Sequence, residues 1–107
     1  MSPEPEIESG VVPGEYQPPS EEQRLRLRLS VLDAYLLAAE RRADVIDAVA
    51  EARDPEQALR SVADLLGITE QAASAVLEAR LRTFSQSEVA RIRTETGDIR
   101  SLLDRAR

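Results

Sequence analysis

The sequence predicts an all-α protein: an antiparallel hairpin of two long helices carrying two short helices at its tip. Three observations lead there. Apolar residues recur at intervals of four and three from Leu25 to Ala50, and again from Val89 to Leu103, the period of a helix face rather than of a strand. Between these seams, Asp54, Gly67, Thr69 and Ser85 stand where helices need start and stop residues. With three aromatic residues (Tyr16, Tyr35, Phe84) and no Trp, packing must come from Leu, Val, Ile and Ala, which favours helices on helices.

In chain order, residues 1–20 hold five of the six Pro, two of the four Gly and Tyr16. That composition predicts a disordered acidic leader, either a solubilising tail or one that docks on a basic surface. The folded part then covers residues 21–107. Ser20 is an N-cap with Glu21 and Glu22 behind it, at the positive end of a helix dipole. The seam Leu25, Leu29, Leu32, Leu36, Ala39, Ala43, Ile46 and Ala50 follows without a break, predicting one long coiled-coil arm. A second stripe, Leu27, Val31, Tyr35, Ala38, Val45 and Val49, gives that arm more than one neighbour.

Asp54 before Pro55 opens the first short helix, with Gln57 placed to complete a capping box. Its apolar face is Ala58, Leu59, Val62, Leu65 and Leu66, and Gly67 ends it. Thr69 caps the second, whose stripe is Ala73, Val76, Leu77 and Leu81. Ser85 and Glu88 form a further capping box, opening a returning arm with the seam Val89, Ile92, Thr96, Ile99 and Leu103. Gly97 interrupts that seam and predicts a frayed or kinked end, since a mid-helix Gly costs about 1 kcal/mol relative to Ala.

Residues 52–82, ARDPEQALRSVADLLGITEQAASAVLEARLR, resemble the end of the coiled-coil tower, the C-gate, in the A subunits of the type IIA topoisomerases DNA gyrase and topoisomerase IV. The residues carrying the likeness are Asp54, Pro55, Glu56 and Ala58, then Gly67, Thr69 and Glu70, then Ala75, Val76, Leu77, Glu78, Arg80 and Leu81, with Glu88 and Ile92 following. Weaker likeness runs upstream through residues 36–49 and downstream to about residue 95. Ala79 stands where the family usually has Met, Gln71 and Ser87 where it has apolar residues, and Phe84 where it has Leu. The resemblance implies a truncated coiled-coil tower that dimerises at its tip through Ile68, Val76, Leu77, Arg80, Leu81 and Phe84, Arg80 bonding free carbonyls across the contact. It also implies a second partner, the topoisomerase A subunit. The nucleophilic tyrosine beside an arginine and the Mg²⁺-holding acids of the family reaction have no counterpart here: Tyr35 falls at an aliphatic tower position and Tyr16 lies outside the match.

Composition narrows function further. There is no Cys and no His, which excludes disulfides, Cys/His zinc sites, thiol nucleophiles and imidazole bases. No catalytic residue, metal or cofactor is expected. Net charge is −6, and residues 1–22 supply all of it, with six Glu and no basic residue. The remaining fourteen acids balance fourteen Arg (14 − 14 = 0), so bulk charge does not predict strong binding to nucleic acid. No apolar run approaches the ~20 residues of a membrane span and the N-terminus lacks an export signal, so the expected place is the cytoplasm.

The expected function is therefore a non-catalytic dimerisation module. One alternative is a DNA-binding helix-turn-helix over residues 65–81. A recognition helix should offer Arg, Lys, Asn or Gln to base edges, whereas this one begins Glu70, Gln71, Ala72, Ala73, Ser74. The other alternative is a helical chorismate mutase, which residues 32–46 resemble. Arg24, Arg28, Arg41 and Arg42 supply cations for it, but that family's pocket Lys is missing.

Overall fold

The computed structural model describes residues 17–106. The expectation of disorder for residues 1–16 lies outside them, and residues 17–20 are non-helical. The described chain is helical with no strand: α1 (Glu21–Glu40), α2 (Arg42–Glu51), α3 (Pro55–Leu66), α4 (Glu70–Glu78), a 3-10 turn (Leu81–Phe84) and α5 (Gln86–Arg105).

Most start and stop signals act as expected. The Ser20 hydroxyl accepts from the Gln23 amide at 3.1 Å, and the Gln23 side chain accepts from the Ser20 amide at 2.8 Å, so Gln23 closes a full capping box. Asp54 accepts from the Gln57 amide at 2.8 Å and Thr69 from the Ala72 amide at 3.1 Å. Gly67 is left-handed (φ 67°, ψ 38°), ending α3 as only a residue without Cβ does at no steric cost.

Two caps differ. Gln57 accepts from the amide of Arg53 at 2.8 Å, one residue before the Asp54 amide that a capping box uses. Ser85 has the backbone of an N-cap but makes no side-chain cap bond, and the Glu88 side chain pairs with Arg91 at 2.8 Å rather than reaching back to complete the box. Gly97 does not fray α5, which runs unbroken to Arg105. Its neighbours Thr96 and Ile99 are buried, and their packing outweighs the propensity cost.

The larger correction concerns the first arm, which breaks at Arg41 (φ −121°, ψ 41°). The Arg41 amide bonds both the Leu37 and Ala38 carbonyls, and its guanidinium donates to the Leu65 carbonyl at 2.9 Å. Leu65 O is one of the carbonyls that the end of α3 leaves open, so the bend and that helix end satisfy each other. The predicted seam consequently stops at Ala39: Ala43, Ile46 and Ala50 are exposed, and α2 packs on α3 instead of on the returning helix.

Two clusters form the core. In the first, Leu32 of α1 meets Ile92, Ile99 and Leu103 of α5, flanked by Leu25, Leu29 and Leu36. The C-terminal end of α1 lies beside the start of α5, where Ala39 and Glu40 share a cavity wall with Gln86 and Val89, so the two helices run antiparallel. Ion pairs Arg28–Glu95 (2.9 Å) and Arg100–Asp33 (2.7 Å) close the flanks. Thr96, the buried polar residue of this cluster's helix, donates its hydroxyl to the Arg93 carbonyl at 2.8 Å. The second cluster joins α1, α3 and α4 through Ala34, Ala38, Val62, Ala63, Leu66, Ala72, Ala73 and Val76. Its alanines let the helix backbones approach closely.

Candidate functional site

The second cluster opens on one side into an apolar groove of about 640 Å³ between α2 and the segment from α4 to the 3-10 turn. Local backbone events shape it. α4 stops at Glu78 because Ala79 turns extended (φ −71°, ψ 148°), without Gly or Pro. Arg80 is extended too, and its carbonyl accepts from the Thr83 amide at 2.9 Å to start the 3-10 turn. That path throws Leu81 outward while Phe84 folds back, its ring edge-on to Tyr35 with centroids 6.2 Å apart at 87°. Arg42 donates to the Phe84 carbonyl at 3.4 Å and to the Ala39 carbonyl at 3.1 Å.

The opposite wall is the face of α2 left uncovered by the bend. Ile46 is 59% exposed, Val49 is 40% exposed and, across from them, Leu81 is 83% exposed. Arg42 and Arg82 lie on the lining beside these apolar side chains. A second cavity of about 480 Å³ adjoins it, sharing Arg42 and Phe84 and adding Arg93 and Glu40.

Of the six residues named from the sequence, Val76, Leu77, Leu81 and Phe84 line the groove. Val76 is buried at its base, Leu77 and Phe84 are half-buried, and Leu81 projects from the edge. Ile68 instead packs against the α1–α3–α4 core, and Arg80 is exposed and outside the lining. The expected apolar stripe of α4 therefore loses Leu81, which belongs to the 3-10 turn. Ile46 and Val49 complete the groove but were not among the six. Their apolar spacing is visible in the sequence, where it reads as part of the helix seam.

Electrostatics mark the other end of the molecule. The Arg28 guanidinium, bonded to Glu95, holds that carboxyl below its ordinary range against a smaller opposing effect of burial, and Glu95 in turn raises Arg28. No group of three His, Cys, Asp or Glu able to hold a metal occurs among the described residues. Tyr35 is engaged with Phe84. Glu70 and Gln71, at the start of α4, are exposed. No helix of the described residues is long and apolar enough to cross a membrane.

An all-α body with an antiparallel helix pair at one end and an open apolar groove at the other is what these elements build. Among curated proteins, the DNA gyrase A subunit of Thermotoga maritima is 33% identical to this chain over 72 residues, 67% of this chain and 9% of that protein. The similarity marks a distant relationship to part of a gyrase A subunit. No family model matches the chain, and no solved structure matches it.

Proposed function

We propose that this chain is a non-catalytic interaction module that forms homodimers through the tip groove, as its resemblance to the C-gate of type IIA topoisomerase A subunits implies. The observation that carries the reading is the groove itself. Leu81, Ile46 and Val49 expose apolar surface on both of its edges, and a two-fold axis lets one such surface cover its copy. At ~25 cal/mol per Å² of apolar surface, covering these side chains supplies a driving force for association. The second partner that the resemblance suggests is a topoisomerase A subunit with similar apolar positions. Pairing with it would yield a heterodimer lacking one cleavage half, a route to modulating gyrase or topoisomerase IV. The absence of His and Cys from the sequence supports a role without chemistry of its own.

Analytical ultracentrifugation of the full chain tests this. The wild type should sediment as a dimer at micromolar concentration, and Leu81→Arg should halve the mass while leaving the helical spectrum unchanged. Leu81 is the better probe than Leu77, which packs partly against the core. A monomeric wild type overturns the reading. Mixing tagged chain with a gyrase A subunit, with time given for exchange, then tests the second partner by pull-down and supercoiling inhibition.

A further inference from the structure

The two edges of the groove carry opposite charge. Between Arg42 and Glu51, α2 holds three acids and one Arg (1 − 3 = −2), whereas the segment from Glu78 to Arg82 holds two Arg and one Glu (2 − 1 = +1). On the turn side Leu81 stands between Arg80 and Arg82, and all three are exposed. On the α2 side Asp47 follows Ile46 and is exposed with it. Arg80, Arg82 and Asp47 have no ion-pair partner among the described residues. The other charges of α2 are engaged or lie elsewhere. Asp44 pairs with Arg41, Arg42 donates to the Ala39 and Phe84 carbonyls, and Glu51 lines a separate cavity with Gln57 and Ser61.

Symmetry turns this asymmetry into a choice. Two copies can meet groove to groove about a two-fold axis that lies either across the groove or along it. An axis across it sets each edge against its own copy, so that Asp47 faces Asp47 and Arg82 faces Arg82. An axis along it exchanges the edges and sets the basic turn of one copy on the acidic helix of the other. We propose that the second copy docks about the axis along the groove, with Leu81 of each chain covering Ile46 and Val49 of the other and Arg80 and Arg82 meeting the other's Asp47. The inference rests on reading the groove as a homodimer surface, and adds which edges meet and what makes the surface select its own copy. Like charges in apposition disfavour the first axis, and complementary ones fix the register of the second. Each pair forms twice in the dimer, and the apolar side chains beside it reduce its screening by water. Arg80, exposed and outside the groove lining of its own chain, thereby acquires a partner.

Two charge-reversed full-length chains test this, Asp47→Arg and Arg80→Glu/Arg82→Glu. Both changes fall on exposed side chains, so the helical spectrum should match that of the wild type. At low ionic strength each variant alone should lose about tenfold or more in dimer affinity, because every dimer of it opposes like charges at two contacts. Mixed in equal amounts, the two chains regain opposite charges at both contacts, and ultracentrifugation should find a heterodimer of wild-type affinity. Variants that dimerise unimpaired, or a mixture that stays monomeric while the wild type dimerises, overturn the proposed axis and leave the homodimer reading standing. A monomeric wild type refutes that reading itself. Because the sequence has no Cys, Leu81→Cys and Ile46→Cys chains give a second readout under mild oxidation. Disulfide-linked dimers are expected from their mixture and not from Leu81→Cys alone. The reverse result places the axis across the groove and overturns the proposal.

Discussion

The two ends of the molecule solve packing differently. At the α1–α5 end, Leu32, Ile92, Ile99 and Leu103 interdigitate and ion pairs seal both flanks, so the apolar seam is covered within the chain. At the tip, small residues such as Ala34, Ala38 and Ala73 bring three helices close. The bend at Arg41 and the outward turn at Leu81 leave larger apolar side chains uncovered. The paired end is not fully covered either, since Leu27 and Leu102 stay exposed beside its buried seam. One end buries a seam of large apolar side chains within the chain, and the other leaves Ile46, Val49 and Leu81 uncovered.

That contrast can be broken most forcibly at Ile92, 1% exposed. Ile92→Ala should cost about 2–5 kcal/mol, seen as a large drop in thermal midpoint by circular dichroism. A cost below about 1 kcal/mol, under the usual range for such a truncation, would show that the helix pair is not the stable end. At the tip the sensitive change is the reverse one. Ala73, fully buried between α1, α3 and α4, has no room to grow, and Ala73→Leu should cost about 1–3 kcal/mol by urea titration.

Gly97→Ala sharpens the comparison by strengthening the paired end. A Cβ there meets nothing within 4 Å, and the substitution should stabilise by about 0.5–1 kcal/mol. The smallest effect is electrostatic. Because the Glu95 carboxyl lies below its ordinary value of 4.5 in the folded state, its contribution is complete above that value and is lost as pH falls through the folded-state value. The pair is partly exposed, so about 0–1 kcal/mol is at stake. Glu95→Gln should flatten the acid limb of stability against pH by that amount.

Much of this is legible in the sequence. Asp54, Gly67 and Thr69 act locally, each through a bond to its own backbone or a permitted φ, and local chemistry reads directly. The antiparallel seam reads correctly as far as Ala39. Beyond it the same periodicity misleads, because the bend at Arg41 is held by the carbonyl of Leu65, 24 positions away, with no Gly or Pro to announce it. Leu81 reads as part of the face of α4 for a similar reason: Ala79 and Arg80 have ordinary helix propensities, and their extended backbone answers to tertiary surroundings. Val76, Leu77 and Phe84, named from the sequence as dimer-contact residues, line the groove, while Ile46 and Val49 escape sequence reasoning because their uncovered face exists only once the arm has bent.

The antiparallel course of α1 and α5 has one more consequence. Leu25 and Leu103 sit in the same cluster, so the first turn of α1 and the last turn of α5 emerge side by side, far from the groove on a body whose longest extent is 61 Å. Such a body can be grafted into a host loop at that end with little distortion of either, since entry and exit points are neighbours. The host would carry the groove at the end of the helix pair remote from the graft.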